Sequence, residues 1–364
     1  MGTTSFSLRQ KILLESFKRF RKVETALHPL NYLFWECTLR CNLSCLHCGS
    51  DCFKESSIPD MPAKDFLDVA REISKSDIGD NITVVITGGE PLLRKDLEEV
   101  GYELRKMGFR WGFVTNGMQL TKTRLNSLLN AGLGSITLSI DGFEEDHNWL
   151  RQNSRAFENA QNALSLISEQ KRLISDVVTC VNKKNIKSLD KLYKSLAESN
   201  LKAWRLFTIT PIGRAAEIPE FKLSSLEMNY LMQFIEKCRK NKKNGLDVNF
   251  SCEAYLGSYE SKVRDGLFFC RAGINIGSVL IDGSISACPN IDRNMIQGSI
   301  YEDSFVDVWK DKFMDFRDRS WTKTGICAEC KDYKYCGGNG LHWWKRNDPS
   351  LLLCHKHCLD QDHS

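Results

Sequence analysis

Cys41-Asn42-Leu43-Ser44-Cys45-Leu46-His47-Cys48 follows closely on a strand-like run, Tyr32-Leu33-Phe34-Trp35-Glu36, and its spacing decides how the chain is read. Three cysteines in a C-x3-C-x2-C loop can hold three irons of a cubane iron–sulfur cluster. The fourth iron is then left without a protein ligand, free to chelate a small molecule and pass it an electron. A structural zinc site usually takes four ligands, commonly as two separated pairs, and this triplet fits that pattern poorly. Chance clustering in a cysteine-rich chain is the other bland alternative, and it weakens as further motifs fall into order downstream.

Outward from that loop, the 364 residues are enough for two domains, or for one large domain with an appendage. Hydrophobic content of 42% and charge of 26% describe an ordinary globular chain, and a net charge of +4 is too small to argue for nucleic acid. No apolar run reaches the length of a membrane span, and the start lacks the apolar core of a secretory signal. Fifteen cysteines without an export signal point to a reducing, cytoplasmic setting, where metal ligation suits the clustered spacing better than disulfides do.

Residues 1–30 form an N-terminal extension expected to be helical. Arg9, Lys11, Lys18, Arg19, Arg21 and Lys22 alternate there with Phe6, Leu8, Ile12, Leu13, Leu14 and Phe17. Such an amphipathic helix either packs on the domain or touches an acidic peptide or a membrane surface. From residue 31 to 245, strand-like runs at Tyr32–Cys37, Ile82–Thr87, Arg110–Thr115, Ser135–Asp141, Ile174–Val181 and Ala203–Ile209 alternate with helical patterns. The helices are expected at Pro62–Ser76, Leu92–Met107, Thr121–Ala131, Arg155–Gln170 and Ile186–Asn200, and a further one, Ser224–Lys243, stops at Asn244-Gly245. Repeated β/α units with strands apolar on successive positions predict an α/β fold, a parallel sheet covered on both faces. Periodicity does not separate an open doubly wound sheet from a partial barrel. Residues 246–364 carry eight of the cysteines, with many glycines and aromatics, and read as a second domain organised more by metal than by a large apolar core.

Thr87-Gly88-Gly89-Glu90-Pro91 ends the second strand, where paired glycines let a ligand approach the backbone closely. With the cysteine loop and the aromatic His47 before its last cysteine, this Gly-Gly-Glu-Pro resembles the signature of the radical S-adenosylmethionine superfamily. The resemblance implies a partial (β/α)6 TIM-like barrel, a [4Fe–4S] cluster on Cys41, Cys45 and Cys48, and S-adenosyl-L-methionine as cofactor. It implies that Gly88, Gly89, Glu90 and Pro91 meet the cofactor's methionine end. Ser139 and Asp141, in a Ser139-x-Asp141-Gly142 segment followed by His147 and Arg151, would lie near its ribose or carboxylate, and Asn116 has the same standing. Capping and turn formation are the alternatives for Asp141. The implied chemistry is reductive cleavage of the sulfonium to a 5′-deoxyadenosyl radical, which removes a hydrogen atom from a substrate.

Cys270-x12-Gly283-x4-Cys288 and Cys327-x2-Cys330-x5-Cys336 resemble the SPASM domain, which follows radical enzymes acting on peptides and proteins. One or two auxiliary [4Fe–4S] clusters follow from that likeness, with Cys327, Cys330, Cys336 and Cys354 as one ligand set and Cys358 the runner-up for the last. The family pattern has a further cysteine where Gly340 stands here. Cys270 and Cys288 would then belong to a first auxiliary cluster that is completed by substitutes such as Cys252 or Cys358, is absent, or keeps an open iron. The expected task is maturation of a ribosomally synthesised peptide by a cross-link, thioether or epimerisation. An external electron donor of flavodoxin or ferredoxin type is implied. A separate leader-peptide-binding protein is an expected partner too, because the 30-residue extension is short for a recognition domain. A formylglycine maturase of the anaerobic sulfatase type and a small-molecule, tetrapyrrole-processing enzyme are the alternatives within the superfamily. Outside it stands an iron–sulfur electron carrier without catalysis.

Overall fold

Apolar strands at the centre and helices with one apolar stripe build the framework of this computed structural model, which describes residues 6–251, 253–347 and 349–361. After helix α1 (Leu8–Leu27) come β1 (Tyr32–Thr38), α2 (Ala63–Ile73), β2 (Thr83–Gly88), α3 (Leu97–Lys106), β3 (Arg110–Thr115) and α4 (Lys122–Asn130). The series continues through β4 (Ser135–Ser139), α5 (Glu144–Arg151), α6 (Ala156–Ser168), β5 (Ile174–Val181), α7 (Leu189–Glu198), β6 (Ala203–Thr208) and α8 (Ser225–Lys240). Strands β1 to β6 are parallel and lie side by side in chain order, the (β/α)6 partial barrel.

Helix α2 shows why the layers hold. Phe66, Val69, Ala70 and Ile73 repeat at helical spacing and are buried, and Phe66 stacks on Trp35 of β1 with ring centroids 4.4 Å apart. Trp204 of β6 meets Phe234 of α8 edge-on at 6.0 Å. Each such aromatic removes roughly 150–250 Å² from water, so these contacts fix the helix layer firmly on the sheet. Helix α8 begins with a Ser224–Glu227 capping box but stops at Lys240, short of the expected Asn244-Gly245. The Tyr193 hydroxyl donates to the Asn241 carbonyl at 3.2 Å and accepts from the Lys243 amide at 2.8 Å, drawing the chain out of the helix early.

The C-terminal third continues with β7 (Asp247–Phe250), β8 (Ile276–Val279), β9 (Ser284–Ser286), β10 (Gly298–Ser299), α9 (Phe305–Asp311), α10 (Met314–Arg317), α11 (Tyr333–Cys336) and α12 (His355–Asp360). Here the structure departs from the expected texture. Strand β7 adds parallel to β6, while β8 adds parallel to β1, pairing Tyr32 with Ile276 and Trp35 with Val279. One sheet in the order β10-β9-β8-β1-β2-β3-β4-β5-β6-β7 therefore runs across residue 245 at both ends. Phe305, Trp309, Phe313 and Phe316 are buried in the same apolar core as the barrel, so this region is not held by metal ligation alone. Helix α1 packs back on it through buried Leu14, through Phe17 against Phe269, and through Glu15, which accepts from the Tyr335 hydroxyl at 2.9 Å. Among the described residues no helix is long and apolar enough to cross a membrane.

Candidate iron–sulfur and cofactor site

The cysteine loop leaves β1 at its C-terminal end and is fastened from several sides. The Cys41 amide donates to the Phe53 carbonyl at 2.6 Å, and Arg40 pairs with Asp60. Arg214, from the segment after β6, donates to the Cys45 carbonyl at 2.8 Å, the Cys52 carbonyl at 3.1 Å and Asp51 at 2.8 Å. Each of the three sulfurs also receives at least one N–H donor. The Asn116 amide lies 3.8 Å from Cys41 Sγ, an Arg151 guanidinium nitrogen 3.7 Å from Cys45 Sγ, and the Cys52 backbone nitrogen 3.4 Å from Cys48 Sγ. Such donors stabilise thiolates, the form that binds iron. Burial pushes the Cys41 and Cys45 thiols up, whereas the hydrogen bond with Cys52 holds the Cys48 thiol down.

Facing the sulfurs is a cavity of about 170 Å³ whose lining includes Cys41, Cys45 and Cys48. Gly88, Gly89, Asn116 and Ser139 line it, as does Thr115, which the sequence did not single out. A Cβ on Gly88 would stand 2.2 Å from the Thr38 carbonyl oxygen, and Gly88 has φ +122°; a Cβ on Gly89 would stand 2.1 Å from that of Arg40. The two glycines thus let the turn lie against the cysteine loop. Three clustered thiols with N–H donors beside a backbone cradle form a donor set that fits a cubane cluster and a small polar cofactor.

Three of the expected cofactor residues stand one layer behind this surface. Glu90 is fully buried; its carboxylate accepts from the Leu92 amide at 3.1 Å, the Thr115 hydroxyl at 2.8 Å and the Asn116 amide at 2.8 Å. It ties the β2 turn to the end of β3, and Pro91 is buried beside it. Asp141 accepts from Arg151 Nε at 2.7 Å and from the Cys180 amide at 2.8 Å. Arg151 comes from α5, a helix the sequence reading did not foresee. It lines the cavity, and so does Arg214. His47, Asp141 and Cys180 also bring ligand-type atoms within 4.8 Å of one another, but Arg151 already supplies the positive charge there.

Two further cavities lie toward the C-terminal region. One of about 210 Å³ is lined by Cys327, Cys330, Cys336 and Cys354 together with Tyr255 and Tyr333. The Asn339 amide donates to Cys336 Sγ at 3.1 Å, so this donor set also suits a four-cysteine cluster. Cys358 instead sits 3.7 Å from the Ser225 hydroxyl. Cys270 is buried in the apolar core and Cys288 is packed against it; neither lines this cavity, and Cys252 lies outside the described residues. A Cβ on Gly340 would stand 2.2 Å from the Glu253 carbonyl oxygen, leaving no room for a cysteine there. The other cavity, about 360 Å³, lies between Thr208 and Ile209 at the end of β6, the 215–223 segment and Trp343, Leu352 and Leu353.

The radical SAM superfamily profile matches residues 35–196, and the SPASM iron–sulfur cluster-binding domain matches residues 270–331. The chain carries a radical SAM domain and a SPASM domain. It is an enzyme. The radical SAM domain binds S-adenosylmethionine and a [4Fe–4S] cluster, and the SPASM domain binds auxiliary iron–sulfur clusters. An AdoMet-dependent heme synthase of Nitratidesulfovibrio vulgaris is 23% identical over 336 residues, covering 87% of this chain and 89% of that enzyme. The mycofactocin maturase MftC of Mycobacterium tuberculosis is 25% identical over 331 residues, covering 90% of this chain and 80% of the maturase. Among solved structures, native anSMEcpe with bound AdoMet and Cp18Cys peptide superimposes with a TM-score of 0.70 at 18% identity, over 92% of this chain and 95% of that one.

Proposed function

We propose that this radical SAM enzyme abstracts hydrogen from a polypeptide and matures a ribosomally synthesised peptide. Cys41, Cys45 and Cys48 hold the [4Fe–4S] cluster; the Gly88–Gly89 backbone, Asn116 and Ser139 seat the cofactor; Cys327, Cys330, Cys336 and Cys354 hold an auxiliary cluster. Glu90 and Asp141 act as positioning residues, fixing Asn116 and Arg151 respectively, and Pro91 stiffens the turn. When bound, the cluster and S-adenosylmethionine supply a hydrogen-abstracting 5′-deoxyadenosyl radical. The chain's part is to orient the two partners and keep water out. Recognition of a leader falls to a partner protein or to another surface.

The observation that carries the peptide reading is the lining of the cavity beyond β6. Ile209, Pro211, Ile218, Phe221, Met228 and Trp343 give it an apolar wall, and among the described lining residues the charged ones are Lys222 and Glu217. A tetrapyrrole with several carboxylates would meet a single lysine there, whereas an apolar peptide side chain matches the wall. The heme synthase relative favours a second reading, oxidation of a tetrapyrrole side chain, at nearly the same coverage as the maturase.

Substrate-dependent release of 5′-deoxyadenosine separates them. Reconstituted enzyme with dithionite is offered peptides carrying deuterated apolar residues, or iron-coproporphyrin. Deuterium appearing in 5′-deoxyadenosine from a peptide supports maturation. Stimulation by the tetrapyrrole alone overturns it.

A further inference from the structure

Beside the auxiliary cavity, on the face covered by α1, runs a groove of about 630 Å³. Its lining gathers Lys18, Lys22, Arg317, Arg319, Lys323 and Lys334 around Arg21, with Asp318 the one carboxylate among the described lining residues. Lys18 and Lys334 share Glu15, at 2.7 Å and 3.8 Å. Among the described residues the other five cations have no carboxylate within salt-bridge distance. Arg317 donates to the Gly273 and Lys310 carbonyls at 3.1 Å and 2.9 Å, and Arg319 donates to the Phe316 carbonyl at 3.0 Å. Carbonyl oxygens satisfy those N–H groups but leave the charge in place, and crowded like charge in a concave site creates a strong attractive field for an anionic surface.

Two more observations say what kind of surface. The floor of the groove is the α11 turn: Arg21 donates to the Lys334 carbonyl at 2.9 Å, and Tyr333 lines both the groove and the cavity of Cys327, Cys330, Cys336 and Cys354. Along the outer face of α1 lie Leu8, Ile12, Phe20, Val23 and Leu27, each 42–75% exposed. That strip is about 30 Å long at 1.5 Å per residue. An apolar strip beside a charged recess is the anatomy of a protein–protein contact. A flat bilayer cannot enter the recess, while a convex acidic protein can.

We propose that the groove and strip dock an acidic one-electron carrier protein, whose electron passes through the Tyr333–Cys336 turn to the centre held by Cys327, Cys330, Cys336 and Cys354. The carrier is oxidised by one electron and the centre reduced by one; no bond is made or broken. The inference rests on the ligand assignment given under the proposed function, and its test is built to separate the two.

The anaerobically reconstituted full chain is titrated with an acidic flavodoxin at low and high salt, and the flavodoxin-driven reduction of its clusters is followed by electron paramagnetic resonance. Lys22→Glu with Lys323→Glu, both exposed positions, should weaken flavodoxin binding at least about tenfold and flatten its salt dependence. Iron content and dithionite-driven turnover should not move. Val23→Ser, on the strip, should weaken binding without altering the salt slope. Binding and reduction rates unchanged in both variants overturn the docking surface. Cys354→Ala should bind flavodoxin normally but slow its oxidation, and an unchanged rate overturns the electron route. A wild-type chain lacking auxiliary iron altogether overturns the ligand assignment and the route together. If charge reversal abolishes sedimentation with phosphatidylserine vesicles while flavodoxin affinity stands, the surface serves a membrane and the proposal falls.

Discussion

Replacing Arg151 by methionine strips a buried carboxylate of its cation. Asp141 is 1% exposed, and one of its oxygens takes two guanidinium contacts, at 2.7 Å and 2.6 Å, while the other accepts the Cys180 amide at 2.8 Å. Burial alone pushes the Asp141 carboxyl up; Arg151, then His47 and His147, and the Cys180 amide reverse that and hold it below the ordinary aspartate value. Removing one member of a buried pair costs about 3–5 kcal/mol. That is a large part of the roughly 5–15 kcal/mol that holds a typical domain together. Arg151→Met combined with Asp141→Asn removes both charges, so the double variant should cost at least about 1 kcal/mol less than the sum of the singles. Urea unfolding of the metal-free protein, followed by tryptophan fluorescence, reads all three. The pH dependence has a definite sign: the pair's contribution is full above the unfolded aspartate value and disappears as pH falls through the lower folded value. Without Arg151, burial raises the folded Asp141 value instead, so the destabilisation by Arg151→Met should be largest above the unfolded aspartate value and shrink as pH falls. A single variant within about 0.5 kcal/mol of wild type, or strict additivity in the double, would show that Arg151 is not what makes this burial tolerable.

Other expectations follow from the cysteine sites. Wild-type reconstituted protein should carry about eight irons per chain, and Cys354→Ala about four, while Cys270→Ala and Cys288→Ala should leave the total unchanged; a wild-type count near twelve would mean a further cluster exists despite Gly340. Gly340→Ala should lower stability by about 1–3 kcal/mol, measured by urea denaturation, since its Cβ would press on the Glu253 carbonyl. Gly89→Ala should lose S-adenosylmethionine binding by equilibrium dialysis more than it loses iron, because the added Cβ meets the Arg40 carbonyl. Arg214→Ala should lower iron retention during gel filtration by freeing the Cys45 and Cys52 carbonyls.

The barrel was largely legible from local pattern. β3 and β5 carry the bounds read from apolar runs, and the other barrel strands differ at their ends only. Helix α5 escaped because it is short and its buried positions include His147 and Arg151, so hydrophobic periodicity is faint. The motif residues were visible, but their depth was not: nothing in Gly88-Gly89-Glu90-Pro91 tells that the glycines face the cavity while Glu90 turns inward to Thr115 and Asn116. The four-cysteine cavity brings in Cys354, and α12 carries Cys358 away to Ser225, a distinction spacing alone left open. Least legible was the docking of β8 on β1, because pairing Tyr32 with Ile276 is a long-range choice with no local signature.

That pairing bears on how the molecule is made. Synthesis runs from the N-terminus, so β1 leaves the ribosome with one flank open and must wait until residue 276 and beyond have emerged before β8 can close it. An unpaired strand edge is a template for wrong partners. Nascent chains stalled or truncated in the interval should therefore be the species that chaperones hold and that inclusion bodies collect.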